Sequence, residues 1–326
     1  MLRYILRRLI GMVVLLLILS VIVFGIFYML PASPAAMSCG KACNPQTIAA
    51  KKRAWGLDKP IQVQYADTMK AIFVGRTYHD GRKCGAPCLG YSFQLSQPVT
   101  KLIQSRAPVT ASLAIGAAIM WLIIGIAVGV LSALRKGSIF DRSAMTVALV
   151  GVSMPSFFTG LVVLYIFCAK FQWLPWPHYY SIMESPPKFF QNMILPWTVV
   201  AFLNAALYAR LTRANMLETM NEDYIRTARA KGLPERTVVA KHGLRAALTP
   251  LITIFGMDLG LLLGGAVLAE QVFTLPGLGK LTVDAVNNAD LPVLFAVTLV
   301  AALFVISANL IVDLLYAVVD PRVKLQ

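Results

Sequence analysis

The chain has 326 residues, of which 58% are hydrophobic and only 14% are charged, and its mean hydropathy is +0.69. An ordinary globular protein carries roughly 25% charged residues, and here the apolar residues form long uncharged runs. This composition excludes a soluble enzyme, a disordered protein and a collagen-like fibre, and it indicates an integral membrane protein. The formal charge of +15 would also suit a nucleic-acid-binding protein, so the positions of the basic residues have to decide its meaning.

Six stretches are long and apolar enough to cross a bilayer, because a hydrocarbon layer of roughly 30 Å needs about 20 apolar residues in a helix. Helices satisfy their own backbone hydrogen bonds in lipid, so the sequence predicts an all-α integral membrane protein with six transmembrane helices. The predicted spans lie within residues 9–30, 107–134, 143–169, 189–209, 246–269 and 291–312, the last with an apolar continuation toward residue 319. Pro155 and Pro196 could kink the third and fourth spans.

The basic residues are concentrated in alternate connections between these spans. With the N-terminus in the cytoplasm, the short inner segments carry sixteen Lys and Arg residues and the short outer loops carry three. This is the positive-inside pattern, from which loops longer than about 60 residues are largely exempt. We therefore expect both termini in the cytoplasm. The positive charge then reflects topology, and no nucleic-acid partner is expected.

Three regions follow from this topology. Residues 1–30 form the N-terminal cytoplasmic end and the first span, residues 31–106 form an enlarged extracytoplasmic loop, and residues 107–326 form a five-helix core. Within the loop, residues 46–55 are predicted to be helical and residues 56–60 to form a turn.

Four of the five cysteines lie in the long loop, spaced as two pairs: Cys39 with Cys43, and Cys84 with Cys88. An extracytoplasmic compartment permits disulfides, and two bridges would staple a loop too small to build its own core. Four cysteines allow three connectivities, and spacing does not choose among them. A zinc site and free thiols are the alternatives, and we predict no metal. Cys168, at the end of the third span, is interpreted as a packing residue.

The most informative connection lies between the fourth and fifth spans. Met216, Met220, Tyr224 and Ala228 recur every four residues, which predicts that they share one helical face. Gly232 is suited to a left-handed C-terminal cap, and Pro234 prevents the helix from continuing. The basic residues around this turn fit either a solvated helix or a docking element for a cytoplasmic partner.

The residues of this connection resemble a known signature. Residues 226–233 read RTARAKGL, and residues 242–245 read HGLR before Pro250. This pattern is similar to the signature loop of binding-protein-dependent ABC importer permeases, in the version used by oligopeptide and dipeptide permeases. The chain keeps the family's residues at Ala228, Gly232 and Leu244. It departs from the general pattern at Arg226, Thr227, His242 and Arg245.

The resemblance extends over nearly the whole chain. It includes the arginine-rich start at residues 3–9 and the stretches 30–34, 56–60 and 264–273, together with residues 276–279, 290–292, 309–316 and 320–322. The two cysteine pairs are not part of this general pattern. The fold implied is that of a type I ABC importer permease.

The resemblance also implies partners. A homologous second permease would complete the pathway, two cytoplasmic ATPase subunits would bind beneath it, and an extracytoplasmic peptide-binding protein would deliver the solute. The connection 210–247 would be the coupling loop, in a multi-pass protein of the bacterial inner membrane. Its expected ATPase-coupling residues are Tyr224, Arg226, Thr227, Ala228, Arg229, Lys231 and Gly232.

The chain is expected to bind no cofactor itself, because ATP and Mg²⁺ would belong to the ATPase subunits. The stretch 276–281, PGLGKL, lacks both the first glycine and the Ser or Thr after Lys that a phosphate-binding loop requires. No catalytic residue constellation is found. A membrane-embedded enzyme is therefore disfavoured, and the chain is expected to be a non-catalytic subunit.

Asp258 is the one ionisable residue placed in the middle of a predicted span, and such residues are functional candidates. It could line the pathway near Gly256 and Gly260 and meet the amino group of a peptide. The alternative is a structural hydrogen bond to a neighbouring helix. Two other functions remain open: a permease of this family for nickel or another small ligand, and a stand-alone ion-coupled transporter.

Overall fold

The computed structural model describes residues 2–29, 44–78, 81–92 and 94–319. Cys39 and Cys43, half of the predicted disulfide residues, lie outside the described residues. In chain order the helices are α1 Leu2–Met29, α2 Pro45–Trp55, α3 Ile61–Val74, α4 Val99–Leu134, α5 Ile139–Ser153, α6 Ser156–Lys170, α7 Pro186–Thr219, α8 Asp223–Ala230, α9 Glu235–Gly265, α10 Val267–Val272, α11 Leu278–Asn287 and α12 Leu291–Val319.

Five of these helices contain continuous apolar stretches long enough to cross a membrane, in α1, α4, α7, α9 and α12. A sixth crossing is formed if α5 and α6 are taken together as one bent span. The prediction of a helical protein with six spans is thus confirmed, with a difference in the third span. There the two helices meet at an angle of 104°.

The break in the third span lies at Pro155, which favours a break but does not impose one. Pro155 has no backbone N–H, and its ring disfavours helical geometry at the residue before it. Accordingly, Met154 is extended, with φ −82° and ψ 129°, and Pro155 becomes the residue that precedes α6. Pro196 lies inside α7 without ending it, so only the first of the two predicted kinks divides a helix.

The long connection after the first span also contains short strands. Strand β1 (Arg76–Thr77) pairs with β2 (Lys83–Cys84), and β3 (Tyr91–Ser92) pairs with β4 (Gln97–Pro98), both antiparallel. The all-helical prediction did not anticipate these two-residue ladders. The predicted helix and turn before them are present, because α2 ends at Trp55 and Gly56 follows in the left-handed conformation.

The contacts divide the chain into two compact units. The first comprises Met1–Thr110, Leu263–Val267 and Pro276–Ile306. One of its buried clusters includes Val99, Leu278 and Ala296, and the N–H of Leu278 donates to the hydroxyl of Thr110 at 2.8 Å. The predicted boundary at residue 106 stays a prediction.

The second unit comprises Ala111–Leu262, Leu268–Leu275 and Ser307–Gln326. Its interior is built on close approaches between α4 and α7. A Cβ added at Gly116 would lie 2.1 Å from the Trp197 ring, and one at Gly129 would lie 2.5 Å from Thr212. Glycine is therefore required where these two helices touch.

Candidate functional site

The basic connection between α7 and α9 does not continue α7. That helix ends at Thr219, and Glu222 is extended before α8 begins at Asp223. The prediction that Met216, Met220, Tyr224 and Ala228 share one helical face is therefore wrong. Met216 is fully buried, whereas Tyr224 is 45% exposed, because the turn at residues 220–222 redirects the chain between them.

The underside of α8 is apolar. Ile225 and Val238 are fully buried, and Ala228 is buried beside them, with Met220 packed against this cluster. Ile225 and Ala228 are three residues apart and therefore lie on the same side of the helix. The cluster seats α8 on the start of α9, so that the short helix is held by packing rather than by its own length.

The rest of the α8 surface is exposed and carries Arg226, Arg229 and Lys231 together with Asp223. The Arg226 side chain is 72% exposed and only approaches Asp223, at 3.5 Å. Arg229 donates to Glu235 through Nε at 3.1 Å and through Nη2 at 2.7 Å. The hydrogen bonds from Arg229 to Glu235 hold the pKa of the Arg229 guanidinium above its usual value. Lys231 is exposed as well, so this surface offers positive charge to a partner.

The turn after α8 has the geometry that the sequence predicted. Gly232 has φ +76°, and no atom would lie within 4 Å of an added Cβ. The N–H of Leu233 donates to the carbonyl of Ala228 at 3.4 Å. This bond spans six residues and is typical of a helix end capped by glycine, the Schellman motif. The turn therefore projects into open space, where another surface could approach it.

A partly buried ion pair ties the end of α7 to the start of α5. Arg213 donates to Asp141 through Nε at 2.6 Å and Nη2 at 2.8 Å. The N–H of Gly137 also donates to this carboxylate, at 2.9 Å. Sequence reasoning missed the pair because its members are far apart in the chain. A usable signal was an acidic residue in an otherwise basic connection.

Asp258 lies on α9, apart from the α8 surface. It accepts a hydrogen bond of 2.8 Å from the Tyr208 hydroxyl on α7. Tyr208 is fully buried, and the ring of Trp121 lies 6.1 Å from it. A Cβ at Gly125 would lie 2.7 Å from the Cβ of Tyr208, so that glycine admits the tyrosine. The structural bond considered as an alternative is thus present.

The cysteines of the long connection are partly described. Cys84 and Cys88 form a disulfide with a Cα–Cα distance of 5.5 Å, and Cys168 is a buried free thiol. Within residues 2–29, 44–78, 81–92 and 94–319, no group of three or more His, Cys, Asp or Glu side chains is placed to hold a metal ion.

The sequence matches two family models. Residues 125–325 match the binding-protein-dependent transport system inner membrane component, and residues 1–114 match the N-terminal domain of such membrane components. A putative peptide transport system permease protein of Brucella abortus (strain 2308) is 38% identical over 98% of both chains. The glutathione transport system permease protein GsiC of Salmonella typhimurium (strain LT2) is 37% identical over 99% of both.

A solved structure of the MetNI methionine ABC transporter, in inward-facing conformations, is also similar. Its TM-score is 0.53 at 21% identity, over 68% of this chain and 97% of that one, and it supports the fold alone. The matches to family models and to full-length relatives agree with the basic loop and the spans described above. This chain therefore belongs to the family of binding-protein-dependent transport system inner membrane components, the multi-pass permeases of ABC importers.

Proposed function

We propose that this chain is the permease subunit of an ATP-driven peptide importer in a bacterial inner membrane. It forms half of the translocation pathway with a homologous second permease, and both of its termini are cytoplasmic. The names of its relatives, a putative peptide permease and a glutathione permease, support peptides as the solute class. The distribution of its basic residues supports the orientation.

The α8 helix is proposed as the coupling helix, which docks into a groove of one cytoplasmic ATPase subunit. The observation that carries this proposal is the two-sided character of α8. Its underside is seated by Ile225 and Ala228, while Arg226, Lys231 and the turn at Gly232 remain exposed. A short helix of this kind can bind a partner through its exposed surface, while its buried side makes it move together with the start of α9.

The proposed mechanism is mechanical rather than catalytic. When the ATPase subunits close on ATP and Mg²⁺, they displace α8, and the buried cluster beneath it moves the start of α9. The ion pair between Arg213 and Asp141 makes the end of α7 move with the start of α5. Rigid shifts of packed helices of this type are a common route between two transporter states. An extracytoplasmic binding protein supplies the peptide.

The decisive experiment is the ATPase activity of the purified four-subunit assembly, with and without binding protein and a short peptide. We expect stimulation that requires both additions. ATPase activity that no peptide stimulates would leave the permease but contradict the peptide assignment. A purified chain that transports alone, without an ATPase subunit, would contradict the whole proposal.

We also propose that Asp258 lines the pathway and meets the amino group of the solute. Among the described residues its carboxylate accepts one hydrogen bond, from Tyr208, and residues 246–269 of its own span contain no Lys or Arg. Ionisable groups at membrane depth face a protein interior or a water-filled cavity and are paired. A cation from outside the chain would complete this site.

Two substitutions separate the charge from the hydrogen bond. Asp258→Asn keeps an acceptor for Tyr208 but removes the charge, so we expect peptide uptake to fall while assembly is unchanged. Tyr208→Phe removes the hydrogen bond and keeps the charge, so uptake should be affected less. Equal uptake by the wild type and Asp258→Asn would assign Asp258 a structural role only.

A further inference from the structure

An apolar groove lies on the surface of the second unit, between α4, α5 and α7. Its volume is about 270 Å³. The walls include Ile124 and Val128 of α4, Phe140 and Val147 of α5, and Phe202 of α7. Ser143 is the one lining residue with a polar side chain. The groove is open along one side, so in the membrane it has to be filled by something apolar.

Small residues create the groove. Alanines at positions 205, 206 and 209 of α7 and at positions 144 and 148 of α5 line its floor. Further along α5 the two helices approach closely, since a Cβ at Gly151 would lie 3.2 Å from Ala206. Beyond Ser153 the chain turns away through 104°. The alanine side chains leave space between α4, α5 and α7 unfilled.

The end of the groove near the start of α5 is strongly basic. Phe140, a wall residue, is followed by Asp141, whose charge is balanced by Arg213. Arg213 lies four residues after the lining residue Ala209, and so on the same side of α7. Four further basic residues lie within five positions of the lining residues Phe140 or Ala209 in the chain, and all four are exposed: Arg135, Lys136, Arg142 and Arg210.

We propose that this groove binds the acyl chain of an anionic phospholipid, with the phosphate of the headgroup held at its basic end. The apolar walls suit a hydrocarbon chain, and the four cations suit a phosphate. Basic pockets between membrane helices bind anionic headgroups by the same chemistry. A hydrophobic helix of the second permease would match the apolar walls alone, whereas an anionic phospholipid matches the walls and the four cations together.

The site can be tested on the delipidated four-subunit assembly by adding phosphatidylglycerol or phosphatidylcholine. Native mass spectrometry then counts the retained lipids, and thermal unfolding reports stabilisation. We expect preferential retention of phosphatidylglycerol. Arg142→Gln and Arg210→Gln should each weaken that retention roughly fivefold. Lys188→Gln, at the opposite end of α7 from Arg210, is the matched control and should have no effect.

A second variant tests the apolar part of the site. Ser143→Trp places a large side chain in the groove from an exposed position, and it should reduce retention of both lipids. If the variant assembles poorly, the two arginine variants still decide the question. Equal retention of the two lipids by the wild type, or unchanged retention in the arginine variants, would overturn the proposal. So would efficient cross-linking of Ser143→Cys to the second permease, which would show that a protein helix fills the groove.

Discussion

Two polar connections of this chain are stabilised in opposite ways. The basic connection, residues 220–243, buries Ile225 and Val238 beneath α8 and leaves its charged side exposed. The long connection, residues 44–98, builds a small core of its own from Tyr78, Cys84 and Tyr91, together with Ala71 and Cys88. The basic connection has almost no core of its own and is held mainly by packing against the neighbouring helices. The second has its own ladders and a disulfide. The role proposed for the basic connection, the transmission of movement, benefits from such dependence.

The arginine side chains of the two connections also differ in how far they are withdrawn from water. In the long connection, Arg76 lies over the ring of Tyr78 at 4.8 Å and Arg82 over that of Tyr91 at 5.2 Å. These rings take part of the cations out of water and fix their positions. On α8, by contrast, Arg226 stays 72% exposed. Its charge therefore remains available to a partner.

The largest expected effect comes from breaking the turn of the basic connection. Gly232→Arg should abolish peptide-stimulated ATPase activity and uptake, because a large side chain would project from the docking surface. The left-handed backbone adds a strain of only about 1–2 kcal/mol, so membrane insertion and assembly should persist.

Gly232→Asn is the control for that variant, since asparagine tolerates the left-handed conformation. We expect it to retain most of the coupled activity. Normal uptake by Gly232→Arg would contradict the docking role of the turn, and loss of assembly by both variants would show that the turn is needed for folding.

A smaller effect is expected from truncating a side chain in the buried cluster beneath α8. Ile225→Ala should lower the free energy of unfolding by about 2–4 kcal/mol, because a fully buried side chain is removed. Hydrogen exchange of the α8 amides should accelerate, and peptide stimulation of the ATPase should weaken. Ile225→Val should cost only about 0.5–1.5 kcal/mol. Unchanged exchange in Ile225→Ala would mean that α8 is held by something other than this cluster.

The long connection should respond to removal of its disulfide. Replacing Cys84 and Cys88 by alanine should destabilise that connection by about 2 kcal/mol, the chain-entropy value for so short a loop. Limited proteolysis within residues 44–98 should then become faster, while coupling through α8 stays intact. Cys168→Ala, which removes a buried free thiol, should leave proteolysis of this region unchanged.

The smallest effect concerns an ion pair of the long connection. Lys59 donates to Asp67 at 2.8 Å, and this hydrogen bond holds the pKa of Asp67 below its usual value. Because the folded pKa is depressed, the stabilisation is present above about pH 4 and is lost as the pH falls through the lowered value. Both side chains are more than a third exposed, so Asp67→Asn should cost at most about 0.5 kcal/mol. A larger loss at neutral pH in proteolysis assays would contradict this.

Much of the fold could be predicted from sequence because lipid imposes a simple rule. Uninterrupted apolar runs of sufficient length become helices, and the six predicted spans correspond in order to five continuous helices and the bent pair of α5 and α6. The rule carries no information on what divides a run. Pro155 and Pro196 look alike in sequence, yet only Pro155 lies between two helices. Which proline ends a helix depends on the packing around it.

The candidate site shows the same limit. The cap at Gly232 was predictable because a glycine followed by a proline defines a local stop. The burial of Ile225 and the exposure of Tyr224 were not, because they depend on the turn at residues 220–222. The pair of Arg213 with Asp141 depends on two helices meeting, and no local pattern encodes such a meeting.

The division of the third span at Pro155 has a consequence for motion. Pro155 has no N–H, and Met154 is already extended, so the helical ladder is interrupted there before any movement occurs. A change in the 104° angle between α5 and α6 can be absorbed by rotation about ψ of Met154 and Pro155. An uninterrupted helix would instead have to break backbone hydrogen bonds to bend this far. The third span is thus jointed between α5 and α6, whereas the other spans are single helices.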